Sequence, residues 1–448
     1  MFRKVLVANR GEIARRVFKT CRSMGIQTVA VYSDADADSP YLSDADEAYS
    51  IGPPPARDSY LKGSEIIALA TETEADAIHP GYGFLSENPD FAQACIDAGI
   101  AFIGPCPGAI RSMGKKVQAR ELMQSAGIPI IHGSRTPLSS VQEALEVAGE
   151  IGYPVLLKAS GGGGGIGMEV VDKVAKMETL FDRCQSRAKA CFGDEAIYIE
   201  KYLDSPRHIE IQIIADHHGN VWHLGERDCS VQRRNQKVIE ESPSVAITEE
   251  TRKSMCDIAV RAAAAIGYDS IGTIEMLLDS DNKFYFLEMN TRIQVEHGVT
   301  ELRTGYDLVE LQIRAAAGET LEPKEYRPVG HSMECRIYAE NPLNFRPSCG
   351  LLEDLNLPTE ENLRIDHSIR SGLKLSPFYD PLIAKVMVWA PERTGCIQKI
   401  SRCLNATQIT GISTNIPFLL RVLGNLKFAE TGATTDLTDE ILRELQAA

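Results

Sequence analysis

The first fifty residues alternate between strand-like and helix-like patterns, which restricts the fold more than any other feature of the chain. The apolar run KVLVA is followed by GEIARRVFKTCRSMG, with helical spacing up to Gly25, and then by IQTVAVYS. This order predicts two parallel strands joined by a crossover helix. Two further strand-like runs, ADAIHP and AFIGP, flank a second helical segment for which Ser86 is the expected N-cap. We therefore predict a doubly wound α/β unit over about the first 110 residues.

The bulk properties of the chain exclude several function classes. The first turn, ANRGEIA, has one glycine where a dinucleotide fingerprint has three, so hydride transfer loses its main support. A formal charge of −15 disfavours nucleic-acid or anionic-membrane partners. The eleven cysteines form no CxxC pair, so neither a disulfide framework nor a zinc knuckle is indicated. With no membrane-length apolar run and no signal peptide pattern, we expect a cytoplasmic protein.

Five consecutive glycines, Gly161 to Gly165, lie between two apolar strand-like segments. A flexible linker would be flanked by polar sequence instead. Without side chains, consecutive backbone N–H groups can face an anion, although the GKS or GKT ending of a Walker loop is missing. The pattern favours a flap over nucleotide phosphates with Lys158 at its base; a mobile surface hairpin is the alternative.

A hairpin around Asp281 and Asn282 predicts a metal site. If these two residues form the loop, Glu275 faces Glu288 directly, and like charges in that position are destabilising unless something neutralises them. Asn290 lies on the same face as Glu288. Two carboxylates and an amide oxygen suit Mg²⁺. A solvated outer face, or a bulge that separates the two side chains, remains the alternative.

The alternation of side chains continues beyond this hairpin. If the segment stays extended, one face carries Glu288, Asn290, Arg292, Gln294 and Glu296 and spans roughly 26 Å at ~3.3 Å per residue. Arg292 has a planar fork suited to a carboxylate-like anion, and Glu296 could act as a base beside it. A surface Arg–Glu pair is the alternative for any one such pair.

Two further polar clusters occur in the same half of the chain. In RHIEIQIIAD, His208, Glu210 and Gln212 alternate with isoleucines, which predicts a strand with one polar and one buried face. QRRNQK, residues 232–237, is a dense basic patch in an acidic protein. Either segment could equally be a solvated strand or loop.

Taken together, these segments resemble the biotin carboxylase family of ATP-grasp enzymes over essentially the whole chain. The motifs that carry the resemblance, in the order of the family, are NRGEIA, HPGYGFLSEN, KASGGGGGIGM, EKYL, RHIEIQ, CSVQRRNQK, FLEMNTRIQVEH and ECRI. The resemblance implies α/β and α+β architecture in three domains. These are a Rossmann-like N-terminal domain (1–113), an ATP-grasp core (114–330) with a mobile glycine-rich lid at about 131–203, and a mixed α/β C-terminal domain (331–448).

The resemblance also implies a reaction. Members of the family cleave ATP to activate bicarbonate as carboxyphosphate and then carboxylate biotin on a carrier protein. A closing lid would keep water away from carboxyphosphate. We expect no biotinyl domain in this chain, because the nearest lysine context, AKMET, lacks the first methionine of the attachment signature. The carrier and the carboxyltransferase are therefore expected on separate polypeptides, in a homodimer or larger complex. The acyl acceptor stays open among acetyl-CoA, propionyl-CoA, pyruvate and 2-oxoglutarate.

Carried over residue by residue, the resemblance implies a role for each matching position. Contacts to ATP are expected from Lys116, Lys158, Gly163, Gly164, Gly165, Glu200, Lys201, Leu203, His208, Gln232 and Asn235. Mg²⁺ or Mn²⁺ is expected on Glu275, Glu288 and Asn290. The bicarbonate pocket is expected from Lys237, Arg292, Gln294 and Val295, with Glu296 as the base. Arg336 would stabilise the biotin enolate, and Tyr82 lies in the loop that approaches biotin.

Several positions depart from the family pattern. Ile166 replaces an arginine in the glycine loop, and Asn235 replaces the histidine of many acetyl-CoA carboxylase subunits. Gly298 replaces the usual proline after VEH, which we expect to loosen the backbone beside Glu296. Lys19 and Ser23 differ from positions that support the dimer in some relatives.

Three alternative functions agree less well with the sequence. A carbamoyl-phosphate synthetase relative would share ATP and bicarbonate, but such chains are less similar at RIQVEH. A regulatory module without catalysis is disfavoured by the intact Lys237, Arg292, Glu296 and Arg336. A dinucleotide-dependent oxidoreductase is disfavoured by the missing fingerprint.

Overall fold

The computed structural model describes residues 1–134, 136–159, 167–322 and 328–447. The first unit is a five-stranded parallel sheet with the order β3-β2-β1-β4-β5. Its elements are β1 Lys4–Val7, α1 Gly11–Ser23, β2 Gln27–Tyr32, β3 Glu47–Ser50, α2 Gly63–Glu72, β4 Ala77–His79, α3 Pro89–Asp97 and β5 Ala101–Phe102. The predicted doubly wound unit is confirmed. The predicted N-cap Ser86 is wrong, because Asn88 caps α3 by accepting from the N–H groups of Asp90 and Phe91.

The second unit is a three-stranded sheet, order β7-β6-β8, that packs against two helices. Its elements, with the two helices that precede it, are α4 Pro107–Gly114, α5 Lys116–Ser125, α6 Val141–Ile151, β6 Val155–Ala159, β7 Met168–Val171, α7 Met177–Phe192 and β8 Ile197–Lys201. β6 and β7 pair antiparallel, with Lys158 opposite Met168, so the glycine run does join two paired strands. Residues 160–166, which include all five glycines of that run, lie outside the described residues.

The third unit is an eight-stranded antiparallel sheet with the order β13-β12-β9-β10-β11-β14-β19-β17. Its first part consists of β9 Arg207–Ala215, β10 Val221–Arg233, β11 Gln236–Ser242, α8 Glu249–Ala265, β12 Ile271–Leu278, β13 Phe284–Asn290, α9 His297–Thr304 and α10 Leu308–Ala316. Its second part consists of β14 His331–Tyr338, β15 Gly350–Leu351, β16 Leu355–Asn356, β17 Leu363–His367, β18 Lys374–Leu375, β19 Leu382–Ala390, α11 Arg393–Ala406, β20 Gln408–Ile409, α12 Ile416–Leu423, α13 Leu426–Thr431 and α14 Leu437–Ala447. One continuous sheet therefore joins strands on both sides of residue 330.

Both faces of this sheet are covered, which explains where its polar residues lie. The isoleucines of β9 pack in a core with α8, whereas His208, Glu210 and Gln212 alternate with them. These polar residues are nonetheless at most 5% exposed, since α9 packs on the same sheet and Thr300 of α9 accepts a hydrogen bond from Arg227 of β10. The interpretation of RHIEIQ as a solvated strand is therefore wrong.

The β12–β13 hairpin places Glu275 opposite Glu288, as predicted. The local geometry differs from the predicted two-residue loop, because Asp279 bonds Lys283 across the turn and Asn282 adopts a φ of +60°. This longer loop shifts the register by one residue, and a bulge between Glu275 and Met276 restores the predicted pairing.

The prediction that residues Glu288 to Glu296 form one extended row is wrong. β13 ends at Asn290, and Glu296 is the N-cap of α9. The strand ends there because the N–H of Thr291 donates to the Glu87 carboxylate, 3.2 Å away, rather than to a neighbouring strand. Among the helices of the described residues, none is both long and apolar enough to cross a membrane.

Candidate active site

Lys237 connects three carboxylates from three different elements. Its Nζ lies 2.7 Å from Glu210 Oε2, 2.7 Å from Glu275 Oε1 and 2.8 Å from Glu296 Oε1. Burial alone would lower the pKa of Lys237, but the three carboxylates outweigh it and raise that pKa well above its ordinary value. Carboxylates from three separate parts of the chain are therefore gathered around one ammonium group, and of the predicted row only Glu296 is among them.

Glu296 is held between two cations. Besides Lys237, Arg336 Nη2 lies 2.9 Å from Glu296 Oε2, and the Glu296 side chain is almost completely buried. Burial would raise the pKa of Glu296, but Lys237, Arg336 and Arg227 hold that pKa well below its ordinary value. Glu296 is thus ionised. A second anion bound by the same cations would compete with Glu296 for their positive charge and would thereby raise its affinity for a proton.

The predicted metal ligands offer a hard, oxygen-rich set. Glu275 is buried, and its Oε2 lies 3.0 Å from His208 Nε2, whereas Glu288 opposite is exposed. Burial would raise the pKa of Glu275, but Lys237 and His208 lower it, so this carboxylate is ionised. Two facing carboxylates fit Mg²⁺ or Mn²⁺. Asn290 donates through Nδ2 to Glu275 and accepts through Oδ1 from Arg292, so its amide would have to turn to ligate a metal beside Glu275.

The remaining residues of the predicted bicarbonate pocket lie around this cluster. Arg292 Nε lies 2.9 Å from Glu87 Oε2, so its carboxylate partner is Glu87 and not the Glu296 of the predicted pair. Gln294 Nε2 donates to Glu275 Oε1 at 2.8 Å. The carbonyl of Val295 accepts from Lys385 Nζ at 2.8 Å, which fixes the backbone just before Glu296.

The predicted ATP-binding residues lie on the second unit and on the adjacent strands. Lys158 of β6 contacts Glu200 of β8, and Arg120 Nη1 lies 3.0 Å from the other oxygen of Glu200. Lys201 donates to the carbonyls of Gly152 and Tyr153. Leu203 follows β8 and is half-buried.

The other predicted nucleotide contacts divide between described and undescribed positions. Gln232 Nε2 lies 3.0 Å from His208 Nδ1 in the interior, whereas Asn235 is exposed in the β10–β11 turn with a φ of +65°. Gly163, Gly164 and Gly165 lie outside the described residues, as does Ile166. Lys116 begins α5, but its side chain is outside what the structure describes. Their predicted roles stay predictions.

Tyr82 reaches the interface between the first unit and the large sheet. Its hydroxyl donates to Glu12 of α1, and Glu12 Oε2 lies 3.2 Å from Lys385 Nζ on β19. Tyr82 is therefore connected through Glu12 and Lys385 to the carbonyl of Val295. Lys19 and Ser23, the positions expected to influence the dimer, are exposed on α1.

The sequence interpretation missed Arg227, which organises the interior of the site. Arg227 is completely buried and donates to Glu210 Oε1, Gln212 Oε1 and Gln294 Oε1 at 2.6–2.7 Å. A signal was present, since Glu226, Arg227 and Asp228 are three successive charges within a strand-like run. Charges in a strand covered on both faces need partners, so such a run indicates a buried polar network.

Comparison with known proteins identifies the family. Residues 1–110 match the biotin carboxylase N-terminal domain family, residues 115–324 the ATP-binding domain family of the carbamoyl-phosphate synthase L chain, and residues 334–440 the biotin carboxylase C-terminal domain family. The chain is 52% identical over 437 residues to a biotin carboxylase of Halalkalibacterium halodurans, covering 97% of each protein.

Solved structures agree with this assignment. A biotin carboxylase from Campylobacter jejuni, described as a beta-gamma-ATP complex, superposes with a TM-score of 0.95 at 44% identity, covering 98% of this chain and 99% of the other. The biotin carboxylase domain dimer of the Hydrogenobacter thermophilus 2-oxoglutarate carboxylase, in complex with MgADP, ADP and bicarbonate, superposes with a TM-score of 0.93 at 46% identity, covering 98% of each chain. The chain belongs to the biotin carboxylase family, and the predicted resemblance and fold class are confirmed.

Proposed function

We propose that this chain carboxylates biotin at the expense of ATP and bicarbonate, as the first half-reaction of a biotin-dependent carboxylase. The observation that carries the proposal is the position of Lys237, whose Nζ contacts both Glu275, a predicted metal ligand, and Glu296, the predicted base. The metal and phosphate end of the site and its proton-accepting end therefore share one cation. Membership of the biotin carboxylase family supports the same function.

The first chemical step joins bicarbonate to the γ-phosphoryl group. Mg²⁺ on Glu275 and Glu288 would neutralise charge on the phosphates. Arg292 and Lys237 would bind bicarbonate. Because Lys237 would then pair with this anion, its ion pair with Glu296 would weaken. Glu296 then accepts the bicarbonate proton, the freed oxygen attacks the γ-phosphorus, and the bond from that phosphorus to ADP breaks. The products are carboxyphosphate and ADP.

In the second step the bond between the carboxyl carbon and the phosphate oxygen of carboxyphosphate breaks, the carboxyl group forms a bond to the ureido nitrogen of biotin, and inorganic phosphate leaves with the proton that this nitrogen loses. Arg336 would stabilise the negative charge that develops on the ureido oxygen of biotin, and Tyr82 would lie near the bound ring. A separate carrier protein would present the biotin, and a separate carboxyltransferase would select the acyl acceptor. The dimeric relative from Hydrogenobacter thermophilus supports a homodimer as the assembly of this chain.

The proposal is tested by measuring phosphate release from MgATP with bicarbonate and free biotin, each omitted in turn. We expect release to require both bicarbonate and biotin. Glu296→Gln keeps the shape of the side chain and removes the base, so it should abolish biotin-dependent release while MgATP binding persists. Release that needs bicarbonate but is indifferent to biotin would contradict the proposal and favour a carbamoyl-phosphate-type reaction.

A further inference from the structure

Two buried glutamates face each other deep in the large sheet, beyond the carboxylates already described. Glu240 of β11 pairs directly with Glu334 of β14, and both side chains have no exposed surface. Two negative charges directly opposite each other repel, and burial in a low-dielectric interior strengthens that repulsion. Such a pair avoids the cost by keeping a proton on one carboxylate.

The nearby cations are distributed unequally between the two carboxylates. Arg336 Nη2 lies 2.6 Å from Glu240 Oε1. Lys385 is the cation that lowers the pKa of Glu334 most, but its Nζ already contacts Glu12 and the Val295 carbonyl. Among the described residues, neither oxygen of either glutamate has a hydrogen-bond partner, but Arg336 lies within ion-pair distance of Glu240 and no cation lies within that distance of Glu334. Glu240 therefore takes the charge that Arg336 balances, and Glu334 takes the proton.

The surroundings of the pair keep this proton in place. Burial raises the pKa of Glu334 well above its ordinary value and outweighs Lys385, and burial also raises the pKa of Glu240, although Arg336 opposes it. The charged groups that face the pair are Arg336 and Lys237, Lys385 of β19, and Glu296 at the start of α9. Helix α9 covers the pair with backbone, since a Cβ built on Gly298 would lie 3.7 Å from Glu334 Oε2.

The same guanidinium nitrogen links this pair to the candidate active site. Arg336 Nη2 lies 2.6 Å from Glu240 and 2.9 Å from Glu296. We propose that Glu240 and Glu334 form a one-proton acid pair that positions Arg336 beside Glu296. Neither glutamate touches substrate in this arrangement. Loss of the Glu334 proton would add a negative charge beneath Arg336, draw its guanidinium toward the pair and oppose the anionic form of biotin; this consequence rests on the proposed function.

The first experiment detects the proton directly and does not depend on activity. Infrared spectra of the wild-type protein at neutral pH should contain the carbonyl stretching band of a protonated carboxylic acid. Glu334→Gln should lose this band. The matched control is Glu241→Gln, the next residue on β11, whose carboxylate is held by Arg393 and His331 and has a pKa below its ordinary value because these partners outweigh burial. Glu241→Gln should keep the band.

Absence of the band from the wild-type spectrum at neutral pH would overturn the acid pair without any variant having to fold. The second experiment measures the pH profile of biotin-dependent turnover. The wild-type rate should fall on the alkaline side as the pair loses its remaining proton, and Glu334→Gln should remove that ionisation. Glu240→Gln should lower kcat for the biotin-dependent reaction about tenfold or more while leaving the KM for ATP within about twofold.

The two experiments separate the two proposals. A wild-type band with an unchanged alkaline ionisation in Glu334→Gln would overturn the positioning role while leaving the proton assignment intact. Failure of wild-type turnover to depend on biotin would instead contradict the proposed function, and the infrared result would still decide whether the pair holds a proton.

Discussion

At the scale of single residues, the two glutamates that face each other on the β12–β13 hairpin differ in what surrounds them. Glu275 is 4% exposed and is contacted by Lys237, His208 and Asn290, whereas Glu288 opposite is exposed. Removing the charge of Glu275 would take away one of the three carboxylates around the buried Lys237 and would affect folding as well as metal binding. Glu288 therefore gives the cleaner test of the metal site.

We expect Glu288→Gln to raise the Mg²⁺ concentration for half-maximal turnover by about tenfold or more, because a carboxylate ligand becomes a neutral amide. The free energy of unfolding should change by less than about 0.5 kcal/mol, since the side chain is exposed. Turnover at varied Mg²⁺ and urea unfolding give the two quantities. Glu250→Gln, at an exposed glutamate of α8, is the control. An unchanged Mg²⁺ dependence in Glu288→Gln would show that Glu288 is not a ligand.

At the scale of secondary structure elements, the hairpin shows how far the sequence could predict the site. The facing glutamates are predictable because strand alternation sets the face of each residue. The loop conformation was not predictable from the sequence. The longer turn, with Asn282 at positive φ, shifts the register of the two strands, and a later bulge shifts it back. The end of β13 was not predictable either, because the group that takes the N–H of Thr291 is Glu87, more than 200 residues earlier in the chain.

The contact between α9 and β19 gives Gly298 a packing role that its sequence position did not indicate. A Cβ at Gly298 would lie 2.2 Å from the sulfur of Met387, a fully buried residue of β19. The missing side chain thus allows the first turn of α9, which carries Glu296, to approach the sheet. The sequence suggested only a looser backbone at this position.

We expect Gly298→Ala to destabilise the protein by about 1–3 kcal/mol relative to a glycine substitution that meets no obstacle, because the added methyl group overpacks the α9–β19 contact. The control is Gly149→Ala on α6, where a Cβ meets nothing within 4 Å and helix propensity favours alanine by up to about 1 kcal/mol. Met387→Val should relieve part of the cost, so a double-mutant cycle measured by urea unfolding should give a favourable coupling. Strict additivity would rule out the steric explanation.

At the scale of the whole molecule, the site is assembled from distant segments. Glu210, Lys237, Glu275 and Glu296 meet because β9, β11 and β12 belong to one sheet and α9 packs on it. Motif order identified the family, but spacing along the chain could not show that Glu240 and Glu334 extend the network inside the sheet. Whether such charges are solvated or buried depends on whether both faces of the sheet are covered, which spacing along the chain does not show.

The buried ionisable groups also control how stability depends on pH, and His79 of β4 contributes a defined part. His79 is completely buried and accepts the N–H of Gly81 at Nδ1. Burial, assisted by Arg16, lowers the pKa of His79 to about 3. The native state therefore keeps His79 neutral while the unfolded chain takes up a proton below about pH 6.5, so this residue costs about 1.4 kcal/mol of stability per pH unit as the pH falls from there toward 3.

We expect His79→Asn to remove this dependence, because the amide oxygen keeps an acceptor for Gly81 and does not titrate. Between about pH 6 and pH 4 the variant should lose about 2 kcal/mol less unfolding free energy than the wild type, whatever its stability at neutral pH. Urea unfolding across this range measures the slope, and His218→Asn at an exposed histidine is the control. The carboxylates with lowered pKa titrate identically in both proteins, so they do not affect the difference between the two profiles. Parallel pH profiles for wild type and His79→Asn would therefore mean that His79 is protonated in the native state.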